Sequence, residues 1–272
     1  MRVGFIGLGS QGAPMARRIV EGGYDLTVWA RRPATLEPFS GIVAKVAESP
    51  AELAAVSDLV CICVVGDDDV REVLHGESGV LAGLAAGGIV AIHSTVHPDT
   101  CREVAEVAAA QGVSVIDAPV SGGAPAAEEG TLLVMVGGDE EIAERCRPVF
   151  ATYADPVVHL GPLGSGQVTK MLNNVLFTAN LGAAVSTLEL GESLGIDRKR
   201  LANVLNSGSA TSKALGSISA FDGTVDKLAP IAGALLQKDV RHAASLADAV
   251  HAPLGAVFDA ADAALNAMDH PR

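Results

Sequence analysis

The sequence predicts an α/β domain built on a parallel sheet, followed by an all-α domain that opens with one long helix. Three observations lead there. Short β-rich runs alternate with longer helix-like ones over about the first 160 residues, and a glycine-rich turn joins the first run to the first helix. After Gly161-Pro162-Leu163-Gly164 the strand-like runs stop and a long segment poor in helix breakers begins. Strands alternating with helices imply a parallel sheet covered on both faces.

Taken in order, residues 2–6 are strand-like, and 11–21 have helical character with Pro14 near the start, where proline is tolerated. Residues 25–29 form a second strand, and the apolar runs at 58–65, 88–93 and 113–116 supply more. Alanine-rich segments such as 100–111 lie between them, with apolar residues at helical spacing. From 167 to 194 only Gly182 and Gly191 interrupt a run rich in Ala, Leu, Asn and Thr. This reads as one interdomain helix, about 166–194, apolar over most of its circumference and so expected to be buried. Helices follow at 198–206, 235–250 and 254–269. The domains are therefore expected at 1–162 and 163–272, without internal repeats or low-complexity tracts.

Composition narrows the partners. The chain is 49% hydrophobic, enough for one large core or two ordinary ones. Its net charge of −13 comes without a dense lysine or arginine run, which argues against nucleic acid or an anionic membrane as partner. A few local cations still suffice for an acidic small molecule. No uninterrupted apolar run approaches the ~20 residues that span a bilayer, and the chain starts on a strand-like run without a basic leader. Cys61, Cys63, Cys101 and Cys146 form no CxxC; Cys61 and Cys63 alternate within an apolar run and read as small buried hydrophobes. A reducing cytoplasm and no metal are expected.

Residues 3–12, Val-Gly-Phe-Ile-Gly-Leu-Gly-Ser-Gln-Gly, carry G-x-G-x-x-G directly after a strand and directly before a helix. In that setting Gly7 allows the tight turn, Gly9 lets the backbone approach a pyrophosphate, and Gly12 permits close helix–strand packing. The loop Gly7-Leu8-Gly9-Ser10-Gln11-Gly12 is thus a dinucleotide site, and the first domain is Rossmann-type. At the end of the second strand, Trp29-Ala30-Arg31-Arg32-Pro33 offers two guanidiniums and no carboxylate for ribose hydroxyls. Arginine suits a 2′-phosphate, so NADP(H) is favoured over NAD(H); the plainer alternative is two solvated surface charges.

Farther on, Gly164-Ser165-Gly166 runs into Lys170 and Asn174, four residues apart and so on one face of a helix. Behind a flexible turn, such a pair can hold a small polar substrate and move a proton. Ser121-Gly122-Gly123 offers successive backbone N–H groups and a hydroxyl, which suits a carboxylate. Asn173 and Asn174 within a buried helix call for partners. His97-Pro98 reads as helix-start chemistry, neither His93 nor His97 is assigned a catalytic role, and Asp67 to Asp69 read as a solvated helix N-terminus.

Four motifs occur in order: the Gly7–Gly12 loop with Met15-Ala16; Asp117-Ala118-Pro119-Val120-Ser121-Gly122-Gly123; Gly164-x-Gly166-x-x-x-Lys170-x-x-Asn173-Asn174; and Lys238-Asp239. With them the chain resembles, over nearly its whole length, the β-hydroxyacid dehydrogenase family, which includes 3-hydroxyisobutyrate dehydrogenase, tartronate semialdehyde reductase and the glyoxylate/succinic semialdehyde reductases. The resemblance implies a Rossmann-type domain, a long interdomain helix, a helical second domain of 6-phosphogluconate dehydrogenase-like type and a homodimer or homotetramer. It also implies roles. Lys170 would be the catalytic acid/base, depressed in pKa by burial and by Lys238 if close. Ser121, Gly122 and Gly123 would bind the substrate carboxylate and Asn174 would orient the substrate. Thr95, Val64 and Val65 would approach the nicotinamide, and Lys238 would reach the site from the second domain.

The chain departs from the family in one loop, where Val65-Gly66-Asp67-Asp68-Asp69 replaces the Leu-Pro of many members. The expected activity is NADP(H)-dependent interconversion of a small 3-hydroxy acid and its semialdehyde. An imine reductase of the same architecture is the first competitor, against which Lys170 and Ser121-Gly122-Gly123 argue. A non-catalytic cofactor-binding protein is the second, whose mark would be loss of the lysine.

Overall fold

The computed structural model describes residues 1–39, 41 and 44–272. It forms two compact units, Met1–Lys170 and Met171–Arg272.

The first unit alternates strand and helix. It runs through β1 (Val3–Ile6), α1 (Gly12–Glu21), β2 (Leu26–Trp29), a 3₁₀ segment (Pro33–Phe39), β3 (Ala44–Val46), α2 (Pro50–Ala55) and β4 (Leu59–Ile62). Then come α3 (Asp67–Leu74), α4 (Val80–Gly83), β5 (Ile89–Ile92), α5 (Pro98–Ala109) and β6 (Ser114–Asp117). Strands β1 to β6 make one six-stranded sheet in the order β3-β2-β1-β4-β5-β6, with every pairing parallel. The apolar runs are continuous because both faces are covered. Phe5, Cys61 and Ala91 face one core, while their neighbours Ile6, Ile62 and Ile92 face the other. Cys63 packs against the same core as Cys61. Burial pushes the thiols up, Cys63 and Cys146 to about 12, so the cysteines are inert packing groups.

The sequence reading did not foresee a second sheet. After β6 come β7 (Val120–Ser121), α6 (Gly123–Glu129), β8 (Leu132–Val136), α7 (Glu140–Phe150) and β9 (Ala154–His159). They form a three-stranded sheet in the order β7-β8-β9, with β7 antiparallel and β9 parallel to β8.

The long helix α8 (Ser165–Ser193) starts in the first unit and continues into the second. There it is followed by α9 (Arg198–Ser207), α10 (Lys213–Ser219), α11 (Ala229–Ala249) and α12 (Gly255–Ala267). Met171, Val175, Leu181 and Leu188 enter the core of this unit. The expectation that α8 is buried is corrected: its Leu172, Leu176 and Leu190 are 56–60% exposed. Among the described residues, no helix is long and apolar enough to cross a membrane.

Inside the first unit, buried His93 bonds the Ala118 carbonyl through Nδ1 (2.6 Å) and meets the Tyr153 hydroxyl at Nε2 (3.1 Å). A carbonyl only accepts, so Nδ1 carries the proton and Nε2 accepts from the tyrosine. Burial holds His93 down to about 4 from 6.5, against the opposing carbonyl bond. The native state therefore binds fewer protons here than the unfolded chain, and its stability falls as pH drops through this window. We predict a loss of about 3 kcal/mol from this one group between pH 6.5 and pH 4. Urea denaturation across that range should show a steeper pH slope for the wild type than for His93→Leu; equal slopes would contradict the assignment.

Candidate active site

The Gly7–Gly12 loop leaves β1 and enters α1 as the motif requires. Gly7 has φ +98°, and a Cβ there would stand 2.2 Å from the Cys63 carbonyl at the end of β4. A Cβ on Gly12 would meet the Gly7 carbonyl at 1.9 Å, so the third glycine closes the helix onto the turn. Gly9 differs: a Cβ there meets nothing within 4 Å. The motif thus encloses two glycines and leaves the middle one facing open space, as a backbone cradle for a pyrophosphate would. The first turn of α1 contains no acidic residue, and its N-cap Gln11 makes no side-chain capping bond, which leaves the positive end of the helix available to an anion. Leu8 is buried and Ser10 is exposed at the rim. These residues fit a dinucleotide.

Arg31 follows β2 and is exposed, as is Arg32. The expectation that no carboxylate is available here is corrected. Arg31 Nη2 lies 2.6 Å from Asp69 Oδ1 and its Nη1 3.1 Å from Glu72 Oε2, both on α3. These two carboxylates raise the Arg31 pKa further. Asp67 to Asp69 form the first turn of α3 as expected, and Asp68 is solvated, but the other two are engaged. Asp69 engages Arg31, and Asp67 accepts from the His97 N–H (2.8 Å) and the Thr100 hydroxyl (2.7 Å), tying α3 to the start of α5. His97 is the N-cap of α5 and accepts from the Asp99 N–H, the helix-start role expected of it.

The loops after β4 and β5 carry Val64, Val65 and Thr95. Val64 and Thr95 are half-buried, while Val65 is 69% exposed. The Val64 N–H donates to Ser94 Oγ at 2.8 Å, which joins the two loops. Ser121 ends β7, opposite Leu133, and Gly122 and Gly123 begin α6. Gly122, at φ +134°, is the N-cap and makes no side-chain capping bond.

The start of α8 is built around Asp117, which sequence reasoning quoted in a motif but gave no role. This carboxylate is fully buried at the end of β6. Its Oδ1 accepts the Gly164 N–H at 2.6 Å and its Oδ2 the Gln167 N–H at 2.7 Å. Burial raises the Asp117 pKa, and backbone N–H groups of Gly164, Gln167 and Gly166 oppose that rise. A Cβ on Gly166 would stand 2.3 Å from the Met135 carbonyl. The glycines therefore serve close packing, and the turn before Lys170 is fixed where flexibility was expected.

Lys170 is half-buried, five residues into α8, and Asn174 follows one turn later. In the second unit, Asn174 Nδ2 donates to Asp239 Oδ2 at 2.6 Å, and its Oδ1 accepts from Asn173 Nδ2 at 3.0 Å. Asn173 is exposed, so the expectation of two buried carboxamides holds for neither in full. Lys238 Nζ lies 2.9 Å from Asp239 Oδ1 on α11, and Asp239 is 3% exposed. A buried carboxylate between an asparagine and a lysine is a second residue to which the sequence reading gave no role. The available signal for Asp117 was an acidic residue inside an apolar segment, which must have partners; Asp239 stands among polar neighbours in the sequence and offered no such signal. Among the described residues, no cluster of His, Cys, Asp or Glu is arranged to hold a metal ion.

Two family models match the chain. One describes the NAD binding domain of 6-phosphogluconate dehydrogenase and covers residues 2–161. The other, described as NAD-binding of NADP-dependent 3-hydroxyisobutyrate dehydrogenase, covers residues 164–270. The chain is 33% identical over 265 residues to a 3-hydroxyisobutyrate dehydrogenase of Pseudomonas aeruginosa, which covers 94% of this chain and 89% of that one. It is also 33% identical over 225 residues to the NAD-dependent L-serine dehydrogenase of the same bacterium, covering 83% and 76%. Among solved structures, the Mycobacterium tuberculosis 3-hydroxyisobutyrate dehydrogenase with L-serine matches at a TM-score of 0.85 and 29% identity, covering 99% of this chain and 95% of that one.

Fold, nucleotide loop and these matches together define an NAD(P)-dependent oxidoreductase acting on CH–OH groups. More narrowly, the chain belongs to the β-hydroxyacid dehydrogenase family and is a hydroxyacid dehydrogenase of 3-hydroxyisobutyrate dehydrogenase type.

The glycine geometry makes a paired prediction. Gly9→Ala should keep the wild-type melting temperature within about 2 °C while weakening dinucleotide binding at least about tenfold, because its methyl enters only the ligand's space. Gly12→Ala should lower both, since its methyl meets the Gly7 carbonyl. Cofactor titration beside a thermal melt checks the pair, and equal melting losses would contradict it.

Proposed function

We propose that this protein transfers a hydride between NADP(H) and a small 3-hydroxy acid or the corresponding semialdehyde, with Lys170 as general acid/base. The reading rests on one observation above the others: the Asp117 carboxylate fixes the first turn of α8, and with it Lys170, in the unit that also carries the nucleotide loop and Ser121-Gly122-Gly123.

The nicotinamide, when bound, supplies or accepts the hydride. The chain's residues do the rest. As the carbonyl oxygen of a semialdehyde gains negative charge, the Lys170 ammonium gives it a proton; in the oxidative direction the neutral amine takes the hydroxyl proton. Ser121 through its hydroxyl, with Gly122 and Gly123 through their N–H groups, holds the substrate carboxylate and so orients the reacting carbon. Asn174 and Lys238 keep the roles the family resemblance implies, orienting substrate and meeting cofactor. Val64, Val65 and Thr95 line the nicotinamide side, and the Gly7–Gly12 backbone holds the pyrophosphate.

Arg31 and Arg32 favour the 2′-phosphate of NADP(H). Asp69 and Glu72 hold Arg31 in advance and compete for it, and solvent and salt screen such an exposed pair. A doubly charged phosphate in the same place offers the guanidinium a bidentate partner. The exposed leucines of α8 support assembly as a homodimer or homotetramer, and the four free cysteines, three of them buried, support a cytoplasmic setting.

Nicotinamide absorbance during reduction of glyoxylate, succinic, tartronate and methylmalonate semialdehydes, with NADPH and NADH, tests the reaction class. Lys170→Ala should lower kcat by about 10²–10⁴-fold with cofactor affinity within about threefold; retention of most turnover would overturn the assignment. Arg31→Ala should weaken NADPH binding at least about tenfold and leave NADH within about threefold. A parallel loss for both cofactors would remove the arginine from selectivity.

A further inference from the structure

We infer that Gln167 is a positioning residue for the reaction: its buried carboxamide locks the Thr95 loop against the first turn of the helix that carries Lys170. The inference rests on the assignment of Lys170 as proton donor.

Gln167 has no exposed surface. Its Oε1 accepts the Val96 N–H at 3.1 Å, and its Nε2 donates to the Ser94 carbonyl at 2.8 Å. The two bonds fall on the residues immediately either side of Thr95. A carboxamide has the donor and acceptor of a peptide group, so Gln167 pairs with the loop as a neighbouring strand would, and the pairing fixes one register. The backbone of Gln167 is held in turn, its N–H donating to Asp117 Oδ2. Lys170 is three residues on, one helical turn away. Ser94 extends the chain of bonds, its Oγ accepting the Val64 N–H.

One side chain therefore couples the loops expected at the nicotinamide to the lysine expected at the substrate oxygen. Hydride and proton transfer need those two groups in register, and a misplacement of about 1 Å costs on the order of 10²-fold in rate. Gln167 itself is too deeply buried to touch the reactants, so its action is through Thr95 and Lys170. A purely structural role would instead lower stability and binding together.

Gln167→Met keeps the shape and removes both bonds. It should be compared with the wild type and Lys170→Ala by kcat and KM on the best semialdehyde, cofactor affinity from fluorescence quenching, and amide hydrogen exchange at Val96. The expected result is at least a tenfold loss in kcat, KM and cofactor affinity within about threefold, and at least tenfold faster exchange at Val96. Unchanged kcat despite faster exchange would overturn the positioning role, as would kcat, affinity and melting temperature falling together. Turnover retained in Lys170→Ala would instead bring down the proton-donor assignment, which separates the two failures. If Gln167→Met does not fold, Gln167→Leu carries the same test, since it too removes both bonds.

Discussion

The carboxylate of Asp117 is the constraint on which the site depends. It lies fully buried at the end of β6, where an unpartnered charge would cost more than a folded domain of this size can spare. The partners that make it tolerable are the N–H groups of Gly164 and Gln167, at the head of α8. A helix start ordinarily leaves such donors to water or a capping side chain; here a residue 47 positions away meets the first of them. The link ties a 29-residue helix to the edge strand of the parallel sheet by its first turn. The position of Lys170 follows from that tie, as does the need for Gly166, whose Cβ would collide with the Met135 carbonyl.

The nucleotide end obeys a different constraint, that of backbone proximity. Gly7 lies against the end of β4 and Gly12 against the turn itself, and this close packing holds the loop in the shape the motif requires. Preorganisation of this kind spares the ordering cost when a pyrophosphate docks. Charge is arranged around it with more balance than a basic dipeptide suggests. Arg31 stands with Asp69 and Glu72, so the cation after β2 is already paired with carboxylates.

What the sequence disclosed depended on the range of the interaction. Strands β1, β2, β4 and β5 were legible because burial on both faces makes them largely apolar runs. Strand β9 was not, since Ala154–His159 is largely exposed and interrupted by Pro156, and β3 is a three-residue edge. The glycine loop and the Lys170–Asn174 spacing are local patterns and could be read directly. The pairing of Arg31 with Asp69 spans 38 residues and has no local signature. The exposed leucines of α8 were misread for a related reason: an all-apolar helix reports that apolar surface is wanted, not which part of it the same chain covers. Gln167 passed as one polar residue in a glycine-rich turn, because its partners lie 71 and 73 residues away.

The most direct measurement of the central claim is a crystal structure of the protein with oxidised dinucleotide and a bound 3-hydroxy acid. The account predicts the substrate hydroxyl within hydrogen-bond distance of Lys170 Nζ, its carboxylate on Ser121, Gly122 and Gly123, and the Asp117–Gln167 bonds intact. A hydroxyl held by another residue, with Lys170 turned away from the reacting carbon, would contradict it.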